Sequence, residues 1–138
     1  MATKTENQKP GFGRIARQGA IAGIGATVVN AILFFIGSAL SAFPADALTP
    51  MGAPVDIFAI LGISVAATVA AIIAYFVLNR FLTRQRANQI FIVLAVLVLV
   101  GMAFNPLGIA NAPILQIILL EVMHVILGGA LVYYLVKA

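Results

Sequence analysis

The sequence predicts an all-α membrane protein, a bundle of four transmembrane helices in an antiparallel up-and-down arrangement. Composition is the first reason. Of the 138 residues, 63% are hydrophobic and only 9% are charged. A soluble domain is normally just under about half apolar, so lipid must cover part of this chain. The second reason is that the apolar residues fall into four long segments, each near the roughly 20 residues that a bilayer crossing needs.

Prolines and short polar segments separate the four apolar segments. Pro44, Pro50 and Pro54 interrupt the chain after the first, and Asn105-Pro106 interrupts it after the third. The third segment carries no polar side chain from Ile90 to Phe104, so we expect it to contact the most lipid. The sequence thus predicts a tail at residues 1–17 and one transmembrane domain at 18–138, with spans at about 18–42, 57–79, 88–104 and 114–136.

The basic residues predict the orientation. All eight lysines and arginines fall on one side of these four spans: Lys4, Lys9, Arg14, Arg17, Arg80, Arg84, Arg86 and Lys137. The opposite loops contain Asp46 and Asp56 but no basic residue. Because short cytoplasmic flanks are enriched in lysine and arginine, we expect a multi-pass protein of the cell membrane with both termini in the cytoplasm.

A cleaved signal peptide is the alternative interpretation of the first segment. Its basic start and Ala45-Asp46-Ala47 fit that pattern. However, the apolar stretch exceeds the usual ~7 to 15 residues of such a peptide, so we expect the span to be retained.

The charge of the chain does not indicate a nucleic-acid partner. The net charge is +4, but the basic residues flank apolar segments instead of forming a folded basic face. The sequence has no cysteine, which excludes disulfides, thiolate metal sites and a catalytic thiol. We therefore expect the lipid bilayer, and no nucleic acid, as a partner.

Two ionisable side chains in the fourth span point to the location of a site. Glu121 and His124 lie one helical turn apart inside an apolar segment. Ionisable groups within a membrane are costly and usually face protein or water. Counting about 1.5 Å per residue from the span ends places His124 near the bilayer midplane and Glu121 one turn nearer the outer surface.

The same count brings polar residues of other spans to this level. Asn30 and Thr68 fall near the midplane, and Ser64 falls beside the level of Glu121. Each lies on a stripe of small or polar residues, which lets helices approach closely. We therefore predict an intramembrane polar cluster that consists of Asn30, Ser64, Thr68, Glu121 and His124.

Three roles for this cluster remain open. Its members can satisfy one another's hydrogen bonds and fix the register of the helices, bind a ligand, ion or proton, or form an interface with another subunit. A proton relay through Glu121 and His124 would need a water path. Glu-x-x-His spacing occurs in di-iron bundles, but those need a second such motif and two further glutamates.

Cofactor chemistry and catalysis are less favoured by the sequence. A lone histidine such as His124 can ligate haem or a pigment, yet most such histidines do not. The sequence contains no serine-histidine-acid set, phosphate-binding loop or multi-ligand metal site. We therefore expect no catalytic residues, no metal site, no cofactor and no enzymatic activity.

Short motifs in three spans resemble a family of small bacterial membrane proteins. They are TVVNAILFFIG in the first span, NPLG after the third and MHVILGGALV in the fourth. On these, the chain from Gly19 to Val136 resembles the domain-of-unknown-function family numbered 6069, whose members have four spans. The positions that match the family pattern are Asn30, Pro106, Leu107, Met123 and His124, whereas Glu121 has no match. The resemblance implies the fold and brings no activity with it.

Two functions follow from the sequence as hypotheses. The first is a non-enzymatic binding or permeation module in which Asn30 and His124 contact a small molecule, a lipid head group or a proton. The second is a structural or accessory subunit of a larger membrane complex or a homo-oligomer, with small-residue faces and the bare third span as docking surfaces. A haem- or pigment-binding redox subunit is a further alternative.

Overall fold

The fold consists of four long helices. The structure is a computed structural model and describes residues 8–138. In this part of the chain the helices are α1 (Phe12–Ala39), α2 (Ile57–Phe81), α3 (Arg84–Met102) and α4 (Ile114–Val136), with a short 3-10 helix at Pro106–Gly108 before α4. Each of the four is long and apolar enough to cross a membrane. The described residues form isolated β-bridges but no strand. The all-α class, the four membrane helices and the multi-pass bundle are therefore confirmed.

Two helices begin earlier than the sequence predicted. α1 begins at Phe12 instead of near residue 18, and α3 begins at Arg84 instead of near residue 88. The sequence predicts that the basic residues lie outside the spans as flanking charges. Arg14 and Arg17 instead lie in the first turns of α1 with exposed side chains, because a long basic side chain can keep its charge in water while its stem stays on the helix. α1 therefore includes residues 12–17 of the predicted tail, and residues 1–7 lie outside the described chain.

The helix ends follow local side-chain chemistry. The Asp56 carboxylate accepts a hydrogen bond from the backbone N–H of Ala59 at 2.8 Å, and so caps the start of α2. Thr83 occupies the same capping position before α3. Pro113 precedes α4, where a residue without an N–H leaves no donor unsatisfied. These residues mark where the helices begin, and the depth of a residue along the bundle is counted from those positions.

Contacts between helix ends define the two ends of the bundle. α1 begins beside the end of α2, where Lys9 Nζ donates to the Arg80 carbonyl at 3.4 Å. α3 begins beside the end of α4, where Arg84 Nη2 donates to the Ala138 carbonyl at 3.0 Å. We call this the basic end. We call the opposite end the loop end, which carries residues 43–56 and 105–113.

α1 packs closely against α2 and α4 through its small residues. Gly19, Gly23, Ala26 and Gly37 are all buried on one stripe of α1. A Cβ atom at Gly23 would collide with the side chain of Thr68 on α2, which shows how near the two helices come. α3 is peripheral by comparison. Its apolar window is 11% buried, the same share as in α2, so most of the window in each of these two helices is left uncovered by the described chain.

Large side chains fill the core near the basic end. Ile15, Tyr75 and Leu135 are completely buried. The Tyr75 ring packs edge-on against Phe91, with 5.1 Å between the ring centroids, and its hydroxyl donates to Asn88 Oδ1 at 2.6 Å. α3 is thus attached to α2 by a buried ring and a hydrogen bond.

The two connections at the loop end pair with each other. The backbone N–H of Leu48 donates to the carbonyl of Ala110 at 3.1 Å, and the N–H of Ala110 donates back to Leu48 at 2.9 Å. Ala47 is completely buried beneath this pairing. The Phe43 ring packs on Phe34 of α1, with centroids 4.8 Å apart. The loops therefore form a cover over this end of the bundle.

Candidate functional site

Three of the five predicted site residues meet at one cavity. Asn30, Ser64 and His124 line a space of about 130 Å³ between α1, α2 and α4, on the loop-end side of the filled core. Both loops contribute to its outer wall, with Thr49, Pro50, Asn105 and Pro106. We call this space the polar cavity. Of the five residues that depth counting grouped, these three line the same space.

Asn30 is the most constrained of these residues. Its side chain is 2% exposed, and its Nδ2 donates to the backbone carbonyl of Met123 on α4 at 3.1 Å. Its Oδ1 is enclosed and has no hydrogen-bond partner. A buried acceptor without a partner costs about 1–3 kcal/mol, because it has lost its hydrogen bonds to water. Asn30, a residue of the cavity lining, thus has an unused acceptor.

Ser64 and His124 add hydrogen-bonding capacity to the same wall. The Ser64 hydroxyl donates to the Ile60 carbonyl at 2.7 Å, so its remaining capacity is as an acceptor. His124 Nδ1 is enclosed without a partner. Among the described residues, the cavity wall contains no lysine, arginine, aspartate or glutamate. The arrangement can therefore form hydrogen bonds but offers no fixed charge.

The other two predicted residues lie away from this wall. Thr68 packs against Gly23 and donates to the Ser64 carbonyl at 2.7 Å. Glu121 is half-buried, and its Oε1 is enclosed without a hydrogen-bond partner. Neither residue lines the polar cavity. Glu121 lies almost a third of a turn around α4 from Leu120, on a different side of the helix from the Asn30 contact.

One observed hydrogen bond joins two predicted residues, from the Thr68 hydroxyl to the Ser64 backbone carbonyl, and none joins two of their side chains. The donors of Asn30, Ser64 and Thr68 all go to backbone carbonyls. These contacts therefore do not support the hypothesis that the five side chains satisfy one another's hydrogen bonds. In residues 8–138, no group of three histidine, cysteine, aspartate or glutamate side chains is placed to hold a metal ion.

A second, apolar space adjoins the polar cavity. It has a volume of about 330 Å³ and lies between α2, α3 and α4. We call it the apolar groove. Its α2 wall consists of Ile63 and four alanines, and the two spaces share the lining residues Ile63, His124 and Leu127. His124 therefore stands at the junction between a hydrogen-bonding space and an apolar one.

Sequence reasoning missed two buried amides. Gln116 is completely buried on α4, and neither its Oε1 nor its Nε2 has a partner. Asn79 donates to the Tyr75 carbonyl at 2.9 Å, while its Oδ1 has no partner. Both lie near span ends, where a polar residue is ordinarily solvated. The helical spacing of Gln116 with Leu120, Met123 and Leu127 was the signal that could have revealed its burial.

Comparison with known families accounts for almost the whole chain. Residues 10–138 match a family model whose description is "Family of unknown function (DUF6069)". This match confirms the resemblance drawn from the three motifs. No curated protein and no solved structure matches the chain. Four of the five positions that carried the resemblance lie around the polar cavity, Asn30, Pro106, Met123 and His124, whereas Leu107 is exposed.

Proposed function

The chain belongs to the DUF6069 family, and from this premise we propose that it is a non-enzymatic binding protein of the cell membrane. Its site is the polar cavity, which receives a small hydrogen-bonding group. One observation carries the proposal: Asn30 lines the polar cavity and is held in place through Nδ2, while its Oδ1 is enclosed and has no hydrogen-bond partner. A donor from a bound molecule would remove the cost of that unused acceptor.

The shape of the bundle supports binding more than permeation. The polar cavity lies towards the loop end, whereas Ile15, Tyr75 and Leu135 fill the core near the basic end. A path for ions or protons would need polar groups or water through that part of the bundle. The described side chains there pack without such a path, apart from the local Tyr75, Asn79 and Asn88 hydrogen bonds.

The proposed placement in the membrane is an antiparallel up-and-down bundle with the basic end in the cytoplasm. Support comes from the meeting of α1 with the end of α2, and of α3 with the end of α4. The positive-inside rule then assigns the sides. The polar cavity would open towards the outer half of the bilayer, and both termini would be cytoplasmic.

Topology can be tested by single-cysteine labelling, because the chain has no cysteine of its own. Met51→Cys, at a position 94% exposed in the loop cover, is expected to react with an impermeant maleimide added to intact cells. Gln85→Cys, exposed at the start of α3, is expected to react only after the membrane is permeabilised. The reverse pattern would show that the basic end faces outward.

Binding itself is tested by native mass spectrometry of the full chain released from lipid nanodiscs. We expect the wild-type protein to retain a non-protein mass. Asn30→Leu, which replaces the cavity amide with an apolar side chain, is expected to lower the retained fraction at least tenfold. Gln116→Leu is the matched control, since it also removes a buried amide with unpartnered atoms but lies outside the polar cavity.

Glu121→Gln gives a second control, because Glu121 does not line the polar cavity. The retained mass is expected to stay at the wild-type level in this variant. A wild-type protein that carries no additional mass, or a mass lost equally from Asn30→Leu and Gln116→Leu, would contradict a site at Asn30. Circular dichroism of each variant establishes that its helices are intact.

The competing proposals give different results in the same preparation. An accessory subunit or homo-oligomer would be released with a partner chain or a second copy, which cross-linking in the membrane would also capture. A haem- or pigment-binding subunit would show visible absorption after purification. We propose the small-molecule role because the polar cavity is a defined site, whereas lipid alone is sufficient to cover the exposed face of α3.

A further inference from the structure

We propose that the occupant is an uncharged amphiphile with a single chain, whose hydroxyl head lies in the polar cavity and whose chain lies in the apolar groove. This inference rests on the proposed binding function and names the chemical class of the molecule. It follows from the chemistry of the polar wall, the continuity of the two spaces and the exposure of the groove to the bilayer.

The polar wall selects a neutral hydrogen-bonding head. Asn30 Oδ1 requires a donor, and the Ser64 hydroxyl, already donating to Ile60, can only accept. A hydroxyl group supplies such a donor. A phosphate or carboxylate head would be buried beside His124 but without a lysine or arginine, and an ammonium head without an acidic side chain in the wall, at a high cost in solvation.

The apolar groove selects an alkyl or isoprenoid chain. The two spaces meet at Ile63, His124 and Leu127, so one molecule can extend from the first into the second. Beyond Ile63, α2 presents only methyl groups to the groove, from the lining residues Ala67, Ala70, Ala71 and Ala74, which leaves room for a chain. Within the described chain, His124 is the one polar side chain that lines the groove, and it lies at the end shared with the polar cavity.

The groove is within reach of the surrounding lipid. On α3, the lining residues Leu94 and Val98 remain about half exposed. α3 itself buries only Ala87 and Phe91, both towards the basic end. An amphiphile dissolved in the bilayer can therefore enter between α2 and α3 without first crossing water. The groove is one continuous space of about 330 Å³, and we assign one chain to it.

Photolabelling tests this class directly. The probe is hexadecanol with a diazirine near the end of its chain, added to the full-length protein in phosphatidylcholine nanodiscs. We expect the label on the groove walls of α2 and α3. Unlabelled hexadecanol in tenfold excess is expected to reduce labelling at least fivefold. Hexadecane, which lacks the head, and palmitate, which carries a charge, are expected to leave it nearly unchanged.

Substitutions test whether the labelled probe occupies both the apolar groove and the polar cavity. Ala71→Leu fills the groove and is expected to reduce labelling at least tenfold, and Ala74→Leu does the same if the first variant folds poorly. Asn30→Leu removes the acceptor for the head and is expected to reduce labelling comparably. Ala66→Leu is the control, because this alanine on the same helix is exposed and lines neither space.

Specific outcomes would overturn the inference. Equal competition by palmitate would show that the head need not be neutral, and equal competition by hexadecane would show that no head is recognised. Labelling that is insensitive to Asn30→Leu would separate the groove from the polar cavity. If any of these occurs while the native protein still retains a mass that depends on Asn30, the binding function stands and the amphiphile assignment fails. If that mass is also absent, both fail.

Discussion

Replacing Tyr75 with alanine is expected to lower the free energy of unfolding by about 3–5 kcal/mol, the range for removing a large buried aromatic side chain. Tyr75 is completely buried, and its ring packs against Phe91 at a centroid distance of 5.1 Å. Its removal would leave a cavity between α2 and α3. In a membrane the hydrophobic effect does not drive helices together, so nothing compensates for the lost packing contacts.

The measurement is reversible unfolding of the full chain in mixed micelles, followed by helicity. Tyr75→Phe serves as the control, since it keeps the ring and loses only the hydrogen bond to Asn88. Interhelical hydrogen bonds in membranes contribute about 0.6 kcal/mol on average and up to about 1.7, so this variant should lose much less stability. Equal losses in the two variants would mean that the hydrogen bond, and not the packed ring, holds α3.

Gly23→Ala is expected to have the next largest effect, a loss of about 1–3 kcal/mol from overpacking. A Cβ atom at this position would lie within 3 Å of three Thr68 side-chain atoms, including its Cβ. Threonine is branched at that atom and has few alternative rotamers, so it cannot simply turn aside. The helices α1 and α2 must separate instead, which would weaken their contact along its length.

Gly25→Ala is the matched control on the same helix. A Cβ atom there meets nothing within 4 Å. Because alanine has the higher helix propensity, this change should be neutral or stabilising by up to about 1 kcal/mol. The same unfolding assay applies to both variants. If Gly25→Ala were as destabilising as Gly23→Ala, the loss would come from the glycine backbone and not from the α1–α2 contact.

The membrane helices and the level of the site could be predicted because both depend on simple regularities. Apolar length identifies a crossing, and the helical rise converts residue number into depth. This count puts Asn30, Thr68 and His124 near the midplane, with Ser64 and Glu121 one turn away. Of these five, Asn30, Ser64 and His124 line one cavity. Counting residues gives depth alone, so it does not distinguish these three residues from Thr68 and Glu121.

The side of a helix that faces the cavity, and the contacts between loops, could not be predicted in the same way. Glu121 and His124 are one turn apart, yet only His124 reaches the polar cavity, because their directions differ by about 60° and the positions of neighbouring helices decide which one faces it. The alanines of α2 indicated close packing but instead line the apolar groove beside α3. The pairing of Leu48 with Ala110 depends on residues far apart in sequence, for which no local signal exists.

Because the two loops are joined by that pairing, the loop end can open without unfolding the bundle. Two backbone hydrogen bonds join the connections, at 3.1 Å and 2.9 Å between Leu48 and Ala110. Breaking them exposes the polar cavity from above but leaves every intramembrane helix and the core around Tyr75 intact. Local openings of this kind require far less free energy than global unfolding. Amide hydrogens of Leu48 and Ala110 should consequently exchange with solvent long before those in the middle of α1 or α4.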